Sequence, residues 1–285
     1  MTTPVSTLKP PPTVRAVAPR YSVVGTKATE GHPRKKVLYW GEYFTGKTTY
    51  AKSFPGPFFI YFDPDSTTVQ SHPTEIPCVY VTSKEMMEAV LQDVKNRRLT
   101  EVVRSFGPQW ANYKVESVIV DSSTFQDRII EEYLDANDVK GVNRWDSKKR
   151  LFQKSYADLC EGSEFKAGAE QYYIVVTAHE KVKRNDKGEV VDVTTCISGD
   201  FNKILPQYFD TIIFCEVQVS CTADGKALVD KAGAPMTKYL CRTAPPDKFR
   251  KCGARGLVKL PPVLENGAFY DELQKYWGQE AKESK

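Results

Sequence analysis

A chain of 285 residues with 41% apolar and 27% charged side chains has the profile of an ordinary globular protein, long enough for one large α/β domain or two small ones. Its net charge of +4 is too mild to single out a partner, so local basic clusters carry that information instead. Seven scattered cysteines without a CxxC pair or Cys/His zinc spacing, and no apolar run of membrane-spanning length, exclude a disulfide framework, a zinc site and a membrane helix; the expectation is a soluble cytoplasmic protein with reduced thiols.

Residues 1–33, rich in Pro, Thr and Val with Lys9, Arg15, Arg20 and Lys27 interspersed, predict a flexible basic arm, and 34–285 a single domain. Lys36 to Trp40 is a short apolar run that ends at Gly41, as a buried strand does. Helical character from Lys47 to Phe54 is stopped by Pro55-Gly56-Pro57. Phe58 to Phe62 reads as a second buried strand, ending in Asp63-Pro64-Asp65, and Val79 to Val81 as a third. A helix over 83–97 then places Met87, Val90, Leu91 and Val94 on one side. Val118-Ile119-Val120 is a fourth strand closed by Asp121, followed by a helix over 124–134, a polar basic stretch and a helix over 147–160. Tyr173 to Thr177 is the fifth strand. Asn185-Asp186-Lys187-Gly188 is a turn signal between two runs able to pair as a hairpin. Strands over 211–219 and 238–242 and a helix over 269–277 complete the chain. Alternating strands and helices followed by hairpin-like strands describe an α/β sheet with an antiparallel extension.

Gly41-Glu42-Tyr43-Phe44-Thr45-Gly46-Lys47-Thr48 fits G-x-x-x-x-G-K-[ST] at every fixed position, after a strand and at the start of a helix. The glycines allow a tight turn in which successive N–H groups point at phosphate oxygens, and the helix adds its N-terminal dipole. Lys47 is suited to the β- and γ-phosphates of ATP, the Thr48 hydroxyl to Mg²⁺, and Thr49 to the α-phosphate. Val118-Ile119-Val120-Asp121 supplies the second anchor, because a buried strand fixes a carboxylate beside the metal.

The order of these motifs, with Val175-Val176-Thr177-Ala178-His179-Glu180-Lys181 after them, resembles RecA-like ATPases, and most of all the phage group of short RecA-like recombination ATPases often called the Sak-four group. Phe54 to Pro57, the T-A-H-E-K stretch and Leu205-Pro206-Gln207-Tyr208-Phe209-Asp210 carry the resemblance, which spans about Lys35 to Tyr276. It implies a RecA-like P-loop core, a mostly parallel sheet flanked by helices with an antiparallel C-terminal extension. It also implies a catalytic carboxylate at Asp65, with Asp63 as competitor, and a γ-phosphate sensor at His179. Two loops would hold single-stranded DNA: Lys140 to Trp145 running on to Lys148-Lys149-Arg150, with Arg144 and a stacking Trp145, and Lys181, Lys183 and Arg184 with Lys187. Lys251 or Arg255 would reach a neighbouring subunit's ATP in a ring or filament, and a single-strand-binding or other recombination protein is the implied partner. Two other readings share the phosphate loop: a nucleoside or small-molecule kinase, for which no Arg-rich lid is evident, and a nucleotide-dependent assembly adaptor.

Overall fold

A computed structural model describes residues 34–62, 76–197, 201–222, 224–255, 259–264 and 267–283, with backbone alone over 278–283. The arm expected over 1–33 and the turn holding Asp63 and Asp65 lie outside the described residues. In chain order the strands are β1 Lys36–Gly41, β2 Pro57–Tyr61, β3 Cys78–Tyr80, β4 Ser117–Asp121, β5 Tyr173–Arg184, β6 Val190–Thr195, β7 Thr211–Val219, β8 Thr237–Arg242, β9 Gly253–Ala254 and β10 Val263–Leu264. The helices are α1 Lys47–Lys52, α2 Lys84–Lys95, α3 Leu99–Ser105, α4 Ser123–Ala136, α5 Gly141–Glu161, α6 Phe201–Ile204 and α7 Tyr270–Glu283.

The sheet runs β10-β8-β7-β1-β5-β4-β2-β3. From β7 to β3 every pairing is parallel, and β8, β9 and β10 add antiparallel strands at the β7 side. This is the RecA-like α/β arrangement the motif order implies. Alternation along each strand divides the apolar side chains between two faces. Leu38, Trp40, Val118, Val120, Ile174 and Val176 pack against α2, α4 and α5; Val37, Tyr39, Ile119 and Val175 pack against α1 and α7. Each such side chain contributes about 1.5–3 kcal/mol by leaving water, so a one-residue slip of any central strand is heavily disfavoured. That register is what brings the strand ends together: Gly41 lies opposite His179 on β5 and Cys215 on β7.

Three elements differ from the sequence expectation. A further helix, α3, follows α2 and buries Leu99 and Val103, one turn apart. The fifth strand does not stop at Thr177 but runs to Arg184, so the buried strand and the first arm of the hairpin are continuous. Helix α5 begins at Gly141, so the basic stretch expected to be a loop forms its first turns.

Gly41 shows how tightly the strands constrain the loop that follows. Its φ is 147°, and a Cβ there would stand 2.0 Å from the Cys215 carbonyl oxygen, a backbone atom that cannot swing aside. Gly41→Ala is therefore expected to cost about 3 kcal/mol or more, combining overpacking with a disfavoured φ. Gly188→Asn, at φ 79° with open space around it, should cost only a few tenths. Urea denaturation of both variants checks this.

Candidate functional site

Residues 42–46 turn from the end of β1 into α1, and the turn closes on a single ammonium group. Lys47 is 5% exposed, and its Nζ donates to the Gly41 carbonyl at 3.2 Å, the Thr45 hydroxyl at 3.2 Å and the Glu42 carbonyl. Gly46 caps α1 in the left-handed region with φ 81°, and no side chain takes the cap's hydrogen bond. Glu42, Tyr43, Phe44 and Thr49 are exposed around this buried lysine. Burial lowers the Lys47 pKa, while the negative charges of Asp121, Glu180 and Glu42 act in the opposite sense.

Thr48, one residue on, faces β4. Its hydroxyl donates to Asp121 Oδ2 at 2.8 Å, and the Thr177 hydroxyl on β5 donates to Asp121 Oδ1 at 2.5 Å. One carboxylate thus joins the helix after the loop to two central strands. Thr177 carried no role in the sequence reading; its signal is that it shares a face of β5 with His179, two residues on.

His179 stands beside the loop. Its ring stacks on Tyr43 with centroids 3.8 Å apart and planes 17° apart, and its backbone N–H donates to the Thr124 hydroxyl at 3.0 Å. Burial, aided by the Lys47 charge, pushes its pKa down to about 4, so the imidazole is neutral at pH 7. The neutral ring offers one donor and one acceptor, a combination suited to a phosphate oxygen or its bound water.

The residues proposed for nucleic acid divide into two kinds. Arg144 and Lys148, four apart on α5, face Asp127, Glu131 and Asp135, four apart on α4. Lys148 lies 2.7 Å from Asp127 and also bonds Glu131; Arg144 bonds Glu131 and lies 2.5 Å from Asp135. The Lys148 side chain is 3% exposed, so it is an internal strut and not a ligand for a passing phosphate. Lys140 and Trp145 remain on the surface, the indole 55% exposed. Lys181, Lys183 and Arg184 are exposed on the hairpin of β5 and β6, where Lys183 pairs loosely with Asp192 at 3.6 Å. Arg255, expected to act on a neighbour, donates to the Gln207 and Pro206 carbonyls of its own chain at 2.7 and 3.0 Å. Lys251 is exposed, and its carbonyl accepts the Trp40 indole N–H at 2.9 Å.

The donor set fits a triphosphate with Mg²⁺. Among the described residues this buried ammonium bonds a hydroxyl and two carbonyls and forms no ion pair, which leaves its charge for an incoming anion. Mg²⁺ at such sites keeps several waters and takes few protein ligands, which suits the Thr48–Asp121 pair. No helix among the described residues is long and apolar enough to cross a membrane.

A family model described as an AAA domain matches residues 33–249, more than half of the chain. No curated protein matches the sequence. Among solved structures, the chain is similar to a prototypical ATPase from the type III secretion system of pathogenic bacteria, at 13% identity and a TM-score of 0.41 over 67% of this chain. The likeness covers 53% of that ATPase, so this chain spans about half of its length.

Two measurements separate struts from surface charges. Lys148→Met takes the cation away from Asp127 and leaves Glu131 to Arg144 alone, and should lose about 3–5 kcal/mol in urea denaturation, whereas Lys181→Ser should stay within about 0.5 kcal/mol. His179 binds its proton near pH 6.5 when unfolded but near 4 in the fold, so stability present at neutral pH is lost as pH falls through that window. Unfolding midpoints taken between pH 7 and 4.5 should therefore fall less steeply for His179→Gln than for the parent.

Proposed function

The chain belongs to the AAA domain family, and on that premise we propose that it is an ATP hydrolase that binds single-stranded DNA and acts in phage-type recombination or strand annealing. Its P-loop ATPase domain accounts for nucleotide hydrolysis. Lys47 exchanges its loop carbonyls for the β- and γ-phosphates, and the loop amides from Gly41 to Thr49 cradle the remaining oxygens. Thr48 holds Mg²⁺ with Asp121 behind it; the ion supplies neutralisation of charge on the phosphate oxygens. His179 reads the γ-phosphate as a neutral imidazole.

The observation that carries the DNA reading is the continuity of β5. The strand whose Thr177 is bound to Asp121 and whose His179 stacks on the loop continues without a break into the basic hairpin of Lys181, Lys183 and Arg184. A change of contact at the phosphate end therefore reaches the hairpin through a hydrogen-bonded ladder, not through a flexible linker. Coupling requires DNA to bind the ATP state more tightly than the ADP state. Lys140 and Trp145 extend the basic and stacking surface. Assembly as a ring or filament, with Lys251 toward a neighbour and a single-strand-binding protein as partner, completes the proposal.

Hydrolysis measured with and without single-stranded DNA at two salt concentrations tests it. Turnover should rise with DNA, and the rise should fade with salt. Lys47→Ala should lower turnover at least about a hundredfold. Replacing Lys181, Lys183 and Arg184 together by Ser should flatten the log–log salt dependence of DNA binding by about 2, at roughly 0.7 per lost contact. DNA-independent turnover with a flat salt response would refute the DNA reading while leaving the ATPase intact.

A further inference from the structure

Three polar atoms buried beside the phosphate loop have no hydrogen-bond partner among the described residues: His179 Nδ1, Glu180 Oε2 and Arg250 Nε. Buried polar atoms are nearly always paired, so the two that meet in the Glu180–Arg250 pair mark a place built for a guest. Glu180 is the centre of it. Its side chain is 3% exposed, and its Oε1 accepts from Arg250 Nη2 at 3.4 Å. It stands one residue beyond the His179–Gly41 pairing, level with the start of the loop. Both neighbours of that loop's ends act on it: Lys47 favours its charge and Glu42 opposes it.

Arg250 is fixed from the other side. Its guanidinium lies 5.0 Å over the Phe214 ring, and Nη1 meets Asp247 Oδ2 at 2.5 Å. The Asp247 Oδ1 accepts the backbone N–H groups of Phe249 and Arg250 at 2.8 and 2.9 Å, and Trp40, the last residue but one of β1, holds Lys251. The arginine is thus aimed at Glu180 by a turn anchored to the strand that leads into the phosphate loop.

We propose that Glu180 is the carboxylate that accepts the proton of the attacking water in nucleotide hydrolysis, and that Arg250 is its positioning residue. This rests on the ATPase reading above. The water oxygen bonds to the γ-phosphorus and its proton passes to Glu180 Oε2. The bond from phosphorus to the bridging oxygen breaks, its electron pair leaves with the diphosphate, and Glu180 returns the proton to the released phosphate or to solvent. Burial raises the carboxyl's pKa and makes it the stronger base, while Arg250 and Lys47 favour its charged form and Glu42 opposes it. This assigns to Glu180 the role that the family resemblance gives to Asp65 or Asp63, which lie outside the described residues.

The test compares wild type, Glu180→Gln and Arg250→Gln, with binding of a fluorescent ATP analogue measured alongside turnover. Glu180→Gln should keep nucleotide binding and lose about 10²–10⁴-fold in kcat. Arg250→Gln should move the acid limb of the kcat/KM profile to higher pH, because the cation that opposes the effect of burial is lost, and Arg250→Lys should move it part of the way back. Glu180→Asp, which keeps the charge and withdraws it by one methylene, should retain binding and lose turnover, and it serves if Glu180→Gln fails to fold. Turnover within about threefold of wild type in either Glu180 variant overturns the assignment, and an unmoved acid limb in Arg250→Gln overturns the positioning role. A wild type that binds the analogue but does not hydrolyse ATP overturns both this assignment and the ATPase reading beneath it.

Discussion

Asp121 joins three parts of the molecule through one carboxylate. Thr48 at the start of α1 donates to one oxygen and Thr177 on β5 to the other, while β4 carries the group itself between β2 and β5. Both donors are hydroxyls, which bond the carboxylate without adding charge of their own. The distances among loop, helix and sensor strand follow from this junction and from the parallel register of β1 with β5. Everything proposed for the site assumes those distances.

Much of this was legible in the chain. The phosphate loop can be read because its chemistry demands particular residue types at fixed spacing, and the strands because buried parallel strands are continuous apolar runs. What escaped depends on partners far away in sequence. Gly141 to Asp146 looks like a loop because its polar residues offer no apolar stripe; it is helical because Arg144 and Lys148 meet acidic residues at matching intervals on α4. Glu180 was read only as a letter in a motif, since its partner Arg250 is 70 residues away. The division of the chain at residue 33, and the choice between Asp63 and Asp65, fall on residues outside those described.

The basic side chains illustrate how little charge alone says about function. Lys148 and Lys181 are the same residue in segments of similar composition. One is enclosed by two carboxylates between helices, and its cation is an element of the fold. The other stands in solvent on a hairpin, where its cation is available to a polyanion. Burial, not sequence density, sorts them.

Gly41 is usually understood through the phosphate it approaches, but here a neighbouring strand makes the stronger demand. The Cys215 carbonyl occupies the volume any larger residue would need. In a descendant that had abandoned nucleotides altogether, Lys47 and Thr48 would be at liberty to drift, yet Gly41 would have to persist. The first letter of the motif is thus a fossil of the sheet's geometry, and its survival in a distant descendant would testify to ancestry of architecture, not to retained chemistry.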